Sequence, residues 1–351
     1  MPSNSSLSSF SLPLTAVLFF AAMSSAHAGS TRDAFLKLID RPRVPPAPET
    51  VPMASPASFE QVHFTYAAEA GVRVPGILIK QKSAAGQPTK KLPVVIALHG
   101  TGGNKESQIA LMKELAGKGF LTVAIDSRYH GERTQAGSGS VEYNQAILRT
   151  YRTGKEHPFL YDTVWDVMRL IDYLETRPDV DAARIGMIGF SKGGMEIYLA
   201  AAVDPRISVA VPCIGVQSFR WALDHDSWRS RVGTFQAAID SAARDAGVPR
   251  VDAAFVRQFY DRVAPAIYGE FDGPAMLPLI APRPLLTING GADARTPVPG
   301  LMECIAAAKK AYADAGASGK FESIIQENTG HQVKSPARQS AIAWFVRWLK
   351  P

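Results

Sequence analysis

At 351 residues the chain can bury one large core or two small ones. Its apolar fraction of 46% excludes disorder over most of the length. The formal charge of +6 is dispersed, with no block of Lys/Arg and no basic stripe interleaved with aromatics, so nothing supports nucleic-acid binding.

Residues 1–28 carry no charged side chain, and Leu12 to Met23 is an apolar run too short to span a bilayer. The run leads to Ala26-His27-Ala28, an A-x-A pattern, which reads as a secretory signal peptide cut after Ala28, although its first residues lack Lys or Arg. A secreted or periplasmic location is therefore expected, with no membrane insertion of the mature chain. Residues 29–58 form an N-terminal arm: Thr31 to Leu38 has helical texture, and Arg41 to Ser58 is proline-rich and expected to be extended.

From Phe59 the apolar period becomes two. Val62 to Tyr66 and Val72 to Ile79 read as antiparallel strands joined at Gly71. Val94 to Leu98 and Leu121 to Ile125 are continuous apolar runs suited to strands buried on both faces, with a helix from Ser107 to Ala116 between them. Asp162 opens an amphipathic helix whose stripe is Val164, Val167, Met168, Ile171 and Leu174. Strands follow at Ile185 to Ile188, Ile207 to Pro212, Leu285 to Ile288 and Phe321 to Ile325, with a closing helix from Ala337 to Leu349. Such alternation predicts an α/β domain over 59–351 with a mostly parallel sheet and helices on both faces. Gln217 to Pro282, helical and rich in aromatics, interrupts it and is expected to be a cap over the carboxyl ends of the strands. Cys213 and Cys304 read as two buried free thiols, and no metal spacing is present.

The chemistry concentrates in three loops. Gly189-Phe190-Ser191-Lys192-Gly193 lies between a strand and a helix, where glycines on either side of a serine permit the tight turn that projects its hydroxyl. A serine nucleophile needs a histidine base, and the histidine needs a carboxylate to fix its tautomer. After Ser191 only His225 and His331 remain, and His225 falls in the expected cap. His331, after the last strand, is the base, and Asp293, on the Gly-rich loop after Leu285 to Ile288, is the acid. Negative charge on a tetrahedral intermediate needs preorganised N–H donors. Lys192 N–H supplies one and the loop His99-Gly100-Thr101-Gly102-Gly103 the other, at Thr101 or Gly102. Asp126 to Arg133 is read as a salt-bridged loop bracing the site floor.

These segments, with Arg184 to Gly194, Gly291-Ala292-Asp293 and Gly330-His331, resemble the α/β-hydrolases of the dienelactone hydrolase and acyl-peptidase-like serine esterase group. The resemblance implies an eight-stranded, mostly parallel sheet, a triad of Ser191, Asp293 and His331, no cofactor, and hydrolysis of small or medium carboxylic esters through an acyl-enzyme. Serine stands where dienelactone hydrolases have cysteine, and the N-terminal region is far too short for the propeller of acyl-peptidases, whose blades take roughly forty residues each. The alternatives are a peptidase or acyltransferase using the same triad, and a non-catalytic binding protein on the same fold.

Overall fold

The computed structural model describes residues 29–82, 90–135 and 139–351. The expected signal peptide, residues 1–28, lies outside the described residues. A helix at residues 29–39 (α1) precedes β1 (Glu49–Pro52), β2 (Phe59–Glu69) and β3 (Val72–Gln81). β4 (Leu92–Leu98), α2 (Ile109–Ala116) and β5 (Leu121–Ile125) begin the parallel part. α3 (Gly139–Thr153), α4 (Tyr161–Glu175), β6 (Val180–Phe190), α5 (Lys192–Val203) and β7 (Ile207–Cys213) follow. Then come α6 (Phe219–Asp224), α7 (Arg229–Val232), α8 (Gln236–Asp245), α9 (Ala253–Val263) and α10 (Gly273–Met276). β8 (Leu285–Gly290), α11 (Val298–Asp314), β9 (Phe321–Gln326) and α12 (Ser335–Leu349) complete the chain.

The strands form one sheet in the order β1-β2-β3-β5-β4-β6-β7-β8-β9. β1, β2, β3 and β5 are joined antiparallel; from β5 through β4 to β9 every pairing is parallel. The molecule therefore has the α/β-hydrolase fold with a mostly parallel sheet, but nine strands stand where eight are expected. The extra strand is β1, inside the proline-rich arm. Its backbone already lies in the extended region that prolines favour, and as an edge strand it tolerates Pro52, whose missing N–H costs no ladder bond on the open side.

Strand alternation divides the core. In β4, Val94, Ile96 and Leu98 face α4, α5 and α11, while Val95 and Ala97 face α2 and α12. Both faces are covered, which is why these strands read as continuous apolar runs. Truncating Ile96 or Leu98 to alanine costs about 2–5 kcal/mol.

Helices α6 to α10 occupy the chain between β7 and β8. Their aromatics do not form a separate small core. Phe235, Phe255, Phe259 and Tyr260 belong to the same buried cluster as α4 and α5. α3, not anticipated from the pattern, packs against α8 and α9: Tyr151 stacks on Phe259 at 5.4 Å, and Asn144 Oδ1 accepts from Ala238 N at 3.1 Å. Cys213 and Cys304 are buried and unpaired to each other. Among the described residues no helix is long and apolar enough to cross a membrane.

Candidate active site

β6 delivers Ser191 onto a turn so tight that its backbone adopts φ 56°, ψ −113° at the N-cap of α5. A non-glycine residue there stores about 1–3 kcal/mol of strain, which the surrounding fold must hold. Two bonds do so: Ser191 N donates to Cys213 O at 2.9 Å, and Ser191 O accepts from Met195 N at 3.1 Å. The flanking glycines are required sterically. A Cβ on Gly193 would sit 2.6 Å from the carbonyl oxygens of His99 and Leu98, and one on Gly189 would collide with the Gly193 carbonyl.

The loops after β8 and β9 bring the other two residues to this serine. Ser191 Oγ lies 2.7 Å from His331 Nε2, and His331 Nδ1 lies 2.7 Å from Asp293 Oδ2. The acid loop and the histidine loop are stitched together by Gly291 N to Gln326 O (2.8 Å) and Ala292 N to Thr329 O (2.9 Å). The Gln326 side chain brackets the histidine loop, donating to Gln332 O at 2.9 Å and accepting from Lys334 N at 2.8 Å. Asp293 also accepts from Arg295 N at 2.9 Å and from Thr296 Oγ1 at 3.0 Å. Burial alone would raise its pKa; the bond and charge of His331 and these two donors outweigh burial and hold the carboxyl below its usual range.

The glycine-rich loop after β4 closes the other side. Gly100 approaches so closely that a Cβ there would stand 3.3 Å from Ser191 Cβ. Gly100 O is held from two directions, by His99 Nδ1 at 2.8 Å and Gly103 N at 3.0 Å. The ring of His99 is fixed in turn, since its Nε2 accepts from Ser127 N at 3.1 Å. This assigns the Nδ1–H tautomer. Because a trans peptide opposes its C=O and N–H, pinning Gly100 O toward His99 turns Thr101 N–H the other way. His99 thus orients the loop. His225, by contrast, stays in the inserted helices, stacked on Trp221 at 4.2 Å with Nδ1 on Trp221 O.

Asp126 to Arg133 forms the floor. Asp126 accepts from Lys105 N (2.8 Å), Lys105 Nζ (2.9 Å) and Glu132 N (3.0 Å), while Arg128 and Arg133 both pair with buried Asp166. Two features escaped the sequence. The Lys192 side chain is buried and paired with Glu196, itself reached by Ser127 Oγ at 3.3 Å. Gln217 and Arg231, from the inserted stretch, converge on Arg295 O beside the acid loop: with the Gln217 amide assigned the orientation that satisfies both of its ends, its nitrogen lies 2.6 Å from that carbonyl, and Arg231 Nη2 lies 3.2 Å from it. The Lys192–Glu196 pair, spaced i to i+4 on a helix, was open to discovery from spacing. The convergence of positions 217, 231 and 295 had no local signal.

Comparison with known proteins gives concordant matches. The profile of the family described as "Glucuronyl esterase, fungi" matches residues 76–316. YtaP of Bacillus subtilis, provisionally named a hydrolase, is 25% identical over 290 residues, covering 79% of this chain and 84% of that protein. The 4-O-methyl-glucuronoyl methylesterase of Hypocrea jecorina is 29% identical over 187 residues, 52% of this chain and 39% of that one. Among solved structures, an acetyl xylan esterase from Paenibacillus sp. R4 superposes with a TM-score of 0.65 at 20% identity, covering 95% of this chain and 94% of its own.

Proposed function

The chain belongs to the family described as glucuronyl esterase, fungi, and is a carboxylic ester hydrolase; from that premise we propose that Ser191 is its nucleophile and that an acyl-enzyme forms there. The observation that carries this reading is the unbroken hydrogen-bonded series from Asp293 through His331 to Ser191, with both links at 2.7 Å and the serine on a strained turn. Ser191 Oγ attacks the ester carbonyl as His331 Nε2 takes its proton. Asp293 fixes the tautomer that leaves Nε2 free to accept and stabilises the imidazolium that results. Lys192 N–H and Thr101 N–H receive the oxyanion; the pinned Gly100 carbonyl favours Thr101 over Gly102. His331 then protonates the departing alcohol, and a water deprotonated by His331 releases the acid. Residues 217–282 cover the site as a cap, and residues 1–28 direct export, so the enzyme acts outside the cytoplasm.

For substrate class, the family description and the name of the Hypocrea jecorina relative point to methyl esters of a glucuronic acid. We therefore infer a uronoyl acyl group on Ser191. Methanol release from methyl glucuronate, compared with acetate release from acetylated xylan, tests it. Preferred methanol release is expected; acetate release alone would overturn the acyl group and leave the triad standing.

A further inference from the structure

Arg231 is a buried cation without a counter-ion in contact. Its residue is 3% exposed, and among the described residues no carboxylate pairs with its guanidinium. Burying an unpaired charge is costly, so its presence calls for a physical reason. Nε donates to the Gln217 side-chain oxygen at 3.1 Å, and Nη2 donates to Arg295 O at 3.2 Å. The same carbonyl takes the Gln217 amide at 2.6 Å. On the far side of that residue, Arg295 N donates to Asp293 Oδ1 at 2.9 Å. One residue of backbone therefore separates the guanidinium from the triad's acid. The ionisable groups that face Arg231 are Tyr260 of α9, Tyr198 of α5, Tyr143 of α3, and Asp293 and Arg295 of the acid loop. Asp293 is the carboxylate among them, and it completes the charge balance at a distance.

We propose that Arg231 is a positioning residue for ester hydrolysis: from the inserted helices it clamps the Arg295 peptide that holds Asp293, and its charge keeps the Asp293–His331 pair in the unprotonated, working form. The proposal rests on the triad reading above. It makes the inserted helices part of the catalytic support, since displacing α7 would loosen the acid loop and remove the cation together. Burial draws the guanidinium's own pKa down, with Tyr260 and Asp293 opposing that drift.

The test is the pH profile of kcat/KM on a neutral ester, p-nitrophenyl acetate, for the full-length enzyme. Arg231→Gln removes a cation that disfavours protonation of the pair, so its acid limb moves to higher pH, by about half a unit or more at an effective dielectric near 20. Arg231→Lys keeps the charge and loses the two-point clamp, so the limb stays near the native position while kcat falls. Gln217→Leu removes one clamp and no charge, giving a several-fold loss of kcat with the limb unmoved; this variant decides the matter if Arg231→Gln does not fold. An acid limb of Arg231→Gln that coincides with the native one would overturn the proposal, as would an unchanged kcat in Gln217→Leu. A loss confined to KM for carboxylate-bearing esters would also overturn it, making Arg231 a substrate-anion contact. Failure of the triad itself would appear separately, as activity surviving in Ser191→Ala.

Discussion

Asp293 Oδ2 accepts the Nδ1 proton of His331 at 2.7 Å, and Arg295 N–H and Thr296 Oγ1 donate to the same carboxylate. Every donor in this set favours the ionised acid, and the ring is left with Nε2 facing Ser191.

Asp293→Asn turns an acceptor into an amide that can present N–H to the ring, which favours the opposite tautomer and blocks proton transfer from Ser191. Steady-state kinetics should show kcat reduced on the order of 10³–10⁴ with KM little changed. A loss below tenfold would remove Asp293 from the role of acid.

The imidazoles behind the glycine-rich loop after β4 set an acid-stability limit. Burial first, then the Lys192 ammonium, pushes His99 down to about 4, and burial with Lys192 and His99 pushes His130 down to about 2, from an ordinary 6.5. The unfolded chain therefore binds these protons before the folded one does. Stability present above pH 6.5 is lost as pH falls toward 4. The His130 ring packs, tilted, between His99 at 5.1 Å and Tyr143 at 4.8 Å with its Nε2 unpartnered, so His130→Phe keeps the ring packing and removes one titrating group together with the bond between Nδ1 and Arg128 O. Melting temperatures from pH 7 to 4.5 should fall less steeply in that variant. Parallel curves for the two proteins would refute the assignment.

Asp272 ties the two ends of the inserted helices together. Its carboxylate accepts from Phe219 N (2.8 Å), Arg220 N (3.0 Å), Ser218 Oγ (3.1 Å) and Gly273 N (2.8 Å). Asp272→Ala strands these buried donors and should cost about 2–4 kcal/mol in chemical denaturation. Limited proteolysis should cut the 217–273 stretch sooner in the variant. A loss under about 0.5 kcal/mol, the size of an ordinary surface substitution, would show that other contacts hold the ends.

What the sequence made legible follows from how far apart the interacting residues lie. Ser191 was readable because strand, turn and helix are consecutive and glycine marks the steric limit at each side. Asp293 and His331 were readable because a parallel sheet places successive strand ends on one edge, so chain order substitutes for distance. β1 escaped because a proline-rich stretch is extended whether or not it pairs, and pairing is decided by β2. α3 escaped because its apolar face is matched to α8 and α9 instead of the sheet. Arg231 and Gln217 escaped for a stronger reason. A buried arginine without a carboxylate partner is recognised by what surrounds it, and its partner is a backbone carbonyl, which leaves no mark in sequence.

The central claim is that Ser191 carries the acyl group. Incubation with a fluorophosphonate and peptide mass spectrometry tests it directly. The expected result is one equivalent of label on the peptide containing Ser191, none in Ser191→Ala, and ester hydrolysis in that variant reduced by roughly 10⁴ or more. Labelling at another residue, or undiminished labelling and turnover in Ser191→Ala, would contradict the account.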